Sequence, residues 1–338
     1  MKNYFSTLRN PLAAGLAAAM FLATASQAEL YKVTSIAPGM SPFIVNTAIS
    51  KVVNEHVDGV EFQVRATGAA TKHMVDAANG KVDFLFGSPT INWLMVNKIG
   101  PFKEMESAPD LEKNIGMIFS YQMGPYHYIT RADSGIETLA DIKGKKVFVG
   151  PPGGAASNVV LNNVIKPVTG LTADDFEVQT FGFDAAAQAF QDDKIDVIVL
   201  PTNIPSPLVQ QFALTKEIRL IDFDVSKVLM NKALGGTLNT IAAGTYGKNH
   251  IGSDVTTHGA IVNFSAGMHV DEEVVYQVTK AIWENLDEIH GTAEWMKSTI
   301  RKDTALELIV GRLHPGAERY YREAGWDIPE AQVITPQN

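Results

Sequence analysis

The sequence predicts an α/β protein of two lobes. Three observations lead there. Short apolar runs alternate with longer amphipathic ones over residues 31–87, and the alternation resumes over 146–221. Strand–helix repeats of this kind build largely parallel sheets covered by helices. Between the two series stand apolar runs at 115–121 and 126–131, separated by Gln122-Met123-Gly124-Pro125, which read as two strands at the passage between lobes. The expected division is 29–123 plus 232–338 for lobe 1 and 124–231 for lobe 2.

The elements follow in order. Residues 31–36 read as a strand, ended by the turn Ala37-Pro38-Gly39-Met40-Ser41-Pro42. Residues 43–56 change face every three to four positions, the period of a helix. A second strand covers 60–66, and Thr67-Gly68-Ala69-Ala70 turns into a short helix at 71–79, closed by Gly80. Residues 82–87 are a third strand, and the polar stretch 104–114 is expected to be a surface excursion. In the second series a strand at 146–150 runs through a glycine-rich loop into a helix at 157–168. Strands at 176–181, 195–200 and 219–221 and a helix at 184–192 complete it. Strand character returns at 260–264. An amphipathic helix follows at 271–289, carrying Val274, Val278, Ala281 and Leu286, and a last helix at 314–324.

Composition excludes whole classes of function. The 338 residues contain no cysteine, so there is no disulfide, no cysteine-ligated zinc, no iron–sulfur cluster, no cysteine nucleophile and no acylated N-terminal cysteine. Lys and Arg number 28 against 37 Asp and Glu, a net charge of −9. An acidic chain lacks the clustered cations that nucleic acid requires, so no nucleic-acid partner is expected. Residues 1–28 read as a cleavable secretory signal: Lys2 and Arg9, an apolar stretch at 12–23, then Ser26 and Ala28 at the −3 and −1 positions. A membrane anchor is the alternative, but about a dozen apolar residues fall short of the roughly 20 that span a bilayer. Loss of Lys2 and Arg9 takes the charge from −9 to −11. No later stretch approaches 18 apolar residues, so stable membrane insertion is not expected.

Enzyme motifs are missing. There is no G-x-S-x-G elbow, H-E-x-x-H pair, Walker loop or G-x-G-x-x-G fingerprint. The eight histidines lack tight metal spacing, and His250 and His258 read as surface or structural residues in a loop-like stretch. No metal or cofactor is expected. Two loops do suit an anion. Gly153, Gly154 and Ala155 lie between a strand and a helix, where small residues expose backbone N–H groups. An ordinary tight turn is the alternative reading. In the first lobe Thr67, Thr71, Lys72 and His73 sit at an equivalent strand end, with a solvated helix face as the alternative for Lys72 and His73. Ser41 and Ser88 add polar groups at neighbouring strand ends, where ligands collect in open α/β sheets. Tyr126 and His127 alternate on the strand leaving the passage, so one of them faces the cleft. Asn203 follows another strand. Trp93 reads as helix core. Two lobes with such loops can close on one small anion.

Four segments then resemble a known family. Ser134-Gly135-Ile136 with Leu139-Ala140-Asp141-Ile142-Lys143-Gly144-Lys145 resembles the "SGI…DLKGK" segment of TAXI-type substrate-binding proteins of TRAP transporters. Ala242-Ala243-Gly244-Thr245-Tyr246 resembles their "PAGTY". Thr279-Lys280-Ala281-Ile282-Trp283-Glu284-Asn285 is similar to a helix of the family. Leu313-His314-Pro315-Gly316-Ala317-Glu318-Arg319-Tyr320-Tyr321 is the most specific match. The resemblance implies a two-lobed type II periplasmic binding protein, not an enzyme. Such a protein captures a small organic anion and delivers it to the membrane subunits of a TRAP transporter. It implies glutamate-like ligands or other carboxylates. Lys72 and His73, which replace the family's usual residues after Gly68, suit a second acidic group and hence a dicarboxylate. Tyr246 is a candidate for the permease-docking face. An ATP-driven importer or a sensor kinase could use the same architecture, and a periplasmic enzyme is the third reading.

Overall fold

The apolar run from Tyr31 forms β1 (Glu29–Ser35) and is followed by α1 (Ser41–His56) and β2 (Val60–Ala66). The structure is a computed structural model describing residues 28–66, 68–332 and 334. The expected signal, apart from Ala28, and Thr67 lie outside the described residues. Next come α2 (Ala70–Ala78), β3 (Phe84–Gly87), α3 (Pro89–Asn97), α4 (Ala108–Glu112) and β4 (Ile115–Met123). The stretch 104–114 is therefore not a mere surface excursion. Its Glu112 is buried, accepts a hydrogen bond from Asn92 Nδ2 at 2.8 Å and pairs with Arg312 at 3.6 Å.

The second series gives β5 (Tyr126–Arg131), β6 (Lys146–Phe148), α5 (Ala155–Val159), a π-helical turn (Val160–Ile165), α6 (Lys166–Thr169), β7 (Glu177–Val178) and α7 (Phe183–Gln191). It continues with β8 (Val197–Pro201), α8 (Pro207–Thr215) and β9 (Ile218–Leu220). The chain then forms β10 (Gly236–Ile241), β11 (His250–Ile251) and β12 (Val255–Gly267). Helices α9 (Glu272–Glu284), α10 (Leu286–Thr292), α11 (Met296–Thr299) and α12 (Pro315–Glu323) end the fold. The single helix expected at 271–289 is two, broken at Asn285, whose side chain donates to the Ala281 carbonyl.

Among the described residues two six-stranded sheets result, and each carries its own helices as a lobe. The first has the order β10-β12-β3-β1-β2 with β4 also on β12; the second is β11-β9-β5-β8-β6-β7. Both are mixed rather than largely parallel. β1 pairs parallel with β2 and β3, while β12 runs antiparallel to β3, β4 and β10. In the second sheet β5 is antiparallel to β8 and β9. The loop between β10 and β12 crosses to the second sheet and places β11 there, beside β9. That strand comes from beyond residue 231.

Packing follows the sequence pattern. On α1, Val45, Ile49, Val52 and Val53 are buried at one-turn spacing; each fully buried side chain of this size stabilises by about 1.5–3 kcal/mol. They lie over a sheet whose Phe62 and Phe84 rings are 4.4 Å apart. At the passage between sheets the N–H of Gly124 donates to Ser41 Oγ at 3.1 Å, and Thr202 Oγ1 donates to the Gly39 carbonyl at 3.0 Å. The loop after β1 is thus tied to the second sheet. Among the described residues no helix is long and apolar enough to cross a membrane.

Candidate functional site

The loops after β2 and β6 meet. Thr71 Oγ1 donates to the Gly153 carbonyl at 3.0 Å, and a Cβ built on Gly154 would lie 3.7 Å from the Ala69 methyl. Small residues on both strand ends permit this approach. Beside the contact is a cavity of about 470 Å³, within the range of roughly 300–1,000 Å³ found for small-molecule sites. The first sheet and its helices contribute Ile36, Ala70, Ser88 and Trp93 to its wall; the second contributes Tyr126, Gly154 and Ala155. Val228, Leu229, Met230 and Leu234, on the segment returning toward β10, complete it.

This wall is mainly apolar. Its polar members are Ser88, Thr90, Tyr126, Asn158, Asn162, Asn163, Asn231 and His258. None of the described residues lining it is Lys, Arg, Asp or Glu. Asn158, Asn162 and Asn163 come from one helical stretch, and Asn231 from the segment returning toward β10. Asn162 Nδ2 donates to Asn158 Oδ1 at 2.9 Å, one turn back. The π turn begins at Val160, so Asn162 and Asn163 stand on a widened coil.

Tyr126 and His258 form a second polar corner. Their rings stack at 4.3 Å, and His258 Nε2 is 2.8 Å from Tyr128 OH. Burial pushes the His258 imidazole down to about 3, so at neutral pH it is a neutral hydrogen-bonding group and not a cation. On the other face of β5, His127 Nδ1 donates to the Pro125 carbonyl at 2.9 Å and its Nε2 meets Tyr246 OH at 2.5 Å. Burial pushes His127 down to about 4.

The structure distributes the expected site residues as follows. Ser88, Tyr126, Gly154 and Ala155 line the cavity. Thr71 and Gly153 join the two loops at its edge. Ser41 is buried at the passage between sheets, and Asn203 is buried with Nδ2 donating to the Pro205 carbonyl at 2.5 Å. His127 faces away from Tyr126, and His73 is buried in α2 outside the lining. Lys72 pairs with Asp76 one turn along α2, its side chain 68% exposed. Thr67 lies outside the described residues.

Other expectations change. His258 and His250 are buried on strands instead of lying in a loop-like stretch, which leaves the structural of their two expected roles, and Tyr246 is buried instead of forming a docking face. Trp93 lines the cavity as well as ending against the helix core. Glu55, His56 and Glu288 bring possible metal-ligating atoms within 4.8 Å of one another, but the cluster is exposed and lies outside the cavity lining. Asn158, Asn162, Asn163 and His258 were not among the expected site residues. The asparagines carried one usable signal, amide groups at one-turn spacing on an otherwise amphipathic helix.

A family model described as the NMT1-like family matches residues 37–325. The chain belongs to the NMT1-like family. This is the family of TAXI-type binding proteins that the C-terminal motif resembles. Among solved structures, this NMT1-like chain is similar to a TRAP periplasmic solute-binding protein from Ralstonia eutropha H16 with bound (S)-2-acetolactate. That match has 11% identity and a TM-score of 0.47 and covers 91% of this chain and 88% of the other. It is also similar to a TRAP solute-binding protein from Xanthobacter autotrophicus Py2 with bound β-D-galacturonate, at 14% identity and a TM-score of 0.45, covering 91% and 89%. A third is the alkanesulfonate-binding protein of Xanthomonas axonopodis pv. citri bound to MOPS, at 12% identity and a TM-score of 0.46, covering 88% and 85%.

Proposed function

We propose that the protein is an extracytoplasmic solute receptor that binds a small organic acid between its two lobes and delivers it to a TRAP-type permease. One observation carries this reading: a cavity of about 470 Å³ lies where two strand–loop–helix starts meet, in a chain of the NMT1-like family. A carboxylate there finds the amides of Asn158, Asn162 and Asn163 and, at the start of α5, the backbone N–H groups of Ala155 and Ala156, which lack intrahelical partners; the Gly154 N–H donates to the Pro151 carbonyl at 3.1 Å. The Thr71–Gly153 bond is a contact that closure of the lobes makes and opening breaks. Charge pattern and apolar stretch at residues 1–28 support export to the periplasm. The division into 29–123 plus 232–338 and 124–231 describes the moving bodies, with the β10–β12 loop travelling with the second.

A receptor fits the cavity better than an enzyme does. His258, the histidine lining it among the described residues, is held by a ring stack and the Tyr128 hydroxyl, with no serine nucleophile bonded to it. A thermal-shift screen of small organic acids tests the reading. A ligand bound only by the folded protein raises stability by RT ln(1 + [L]/Kd). Stabilisation by at least one acid, followed by acid uptake in vesicles holding the permease, is expected. No stabilisation by any acid would overturn it.

A further inference from the structure

We infer that the cavity selects monoacids with an apolar body, aromatic or branched aliphatic, and rejects dicarboxylates. The inference rests on the reading of this cavity as the solute site. The lining holds Ile36, Leu94, Trp93, Met123 and Val262 but no side chain of either charge. The ligand's body therefore meets carbon surface over most of the wall. A single carboxylate is served by the Asn158–Asn162–Asn163 corner, where amide donors gather. A second carboxylate has no cation to meet. Lys72, on α2 of the first lobe, is engaged by Asp76 and is not among the lining residues. Arg65 is bonded to Gln63 on β2. Taking an unpaired carboxylate out of water into such a wall is costly, and neutral dipoles repay it only in part. Apolar surface of the ligand is favoured in the same place. The wall thus discriminates by what it lacks as much as by what it holds.

Calorimetry on residues 29–338 at pH 7.5 tests this with matched pairs: 4-methylbenzoate against terephthalate, and 4-methylpentanoate against adipate. The monoacid of each pair is expected to bind at least ten-fold more tightly. Equal or tighter diacid binding, or tighter binding of glutamate or galacturonate than of both monoacids, would overturn the inference and leave the receptor reading standing. Absence of binding by every acid would overturn both. Thr90→Lys adds a cation to the wall on the first lobe, apart from the asparagine corner on the second, and it is expected to raise terephthalate affinity at least five-fold relative to 4-methylbenzoate. An unchanged ratio in a variant with a wild-type melting temperature counts against the inference.

Discussion

Tyr126 and His258 lie face to face, their ring centroids 4.3 Å apart and their planes 14° from parallel. Tyr126 is on β5 of the second sheet and His258 on β12 of the first, so the stack joins the lobes at the cavity wall. Thr257 Oγ1, the next residue along β12, donates to the Tyr126 carbonyl at 2.8 Å. His258→Ala removes the stack, opens a hole and strips the buried Tyr128 hydroxyl of its partner. The expected loss is about 2–4 kcal/mol. His258→Phe keeps a ring and loses only the hydrogen bond, and about 1–2 kcal/mol is expected. Urea unfolding at pH 7.5 measures both, and a His258→Ala loss below that of the Phe variant would contradict this account.

Buried histidines set the acid side of stability. Burial holds His127 and His314 down to about 4 and His258 to about 3. In the unfolded chain each titrates at about 6.5. Above that pH neither state is protonated, and these groups give no pH dependence. Below it the unfolded chain takes up protons that the folded protein refuses, so stability falls as pH drops from about 6.5 toward 4. Each such ring contributes a slope of about 1.4 kcal/mol per pH unit. The urea midpoint is expected to be level from pH 8 to 7 and clearly lower at pH 5. Equal midpoints at pH 7.5 and 5 would mean that the folded protein accepts those protons.

The fold was more legible than the site, for physical reasons. Strand β2 and helix α1 announce themselves by local periodicity, because each buries one face. β10 and β11 do not: Gly236–Ile241 is half exposed, and His250–Ile251 forms a strand only because β9 accepts it. The mixed character of the sheets depends on such distant pairings. The cavity wall is assembled the same way. Ser88, Tyr126 and Gly154 stand at strand ends and in loops where simple rules look for ligands. His258 sits inside a long strand, and its role is fixed by Tyr126 and Tyr128, which are 130 residues or more away. Lys72 shows the reverse: its charge drew attention in sequence, and Asp76 one turn on claims it.

Gly124 is where the chain passes between sheets, and it has no room for a side chain. A Cβ there would lie 2.1 Å from the Thr202 carbonyl oxygen and 2.4 Å from the Asn203 nitrogen. These are backbone atoms and cannot rotate aside. Gly124→Ala is expected to lose about 3 kcal/mol or more through displaced backbone. Gly182→Ala, where no atom lies within 4 Å of the added carbon, serves as the control and should change stability little. Similar melting temperatures for the two variants would show that the passage yields.

Lys72→Ala should leave affinity for any acid ligand unchanged within about two-fold, because Lys72 holds Asp76 on an exposed helix face. A surface pair of this kind is worth only about 0.3–0.5 kcal/mol. Calorimetry decides: a ten-fold loss of affinity with a normal melting temperature would return Lys72 to the site.

Gly154 tests the site from the opposite direction. It lines the cavity just before α5, and a Cβ would sit 3.0 Å from the Pro151 carbonyl oxygen and 3.7 Å from the Ala69 methyl. Alanine therefore fits with a small adjustment, while aspartate adds a carboxylate to a wall that has no cation. Gly154→Ala should weaken acid binding only a few-fold. Gly154→Asp should abolish it, since two like charges would share a poorly hydrated space. The comparison separates bulk from charge. Equal losses in the two variants would mean that space alone limits the site, and retained binding by Gly154→Asp would place the ligand's acid group elsewhere in the cavity.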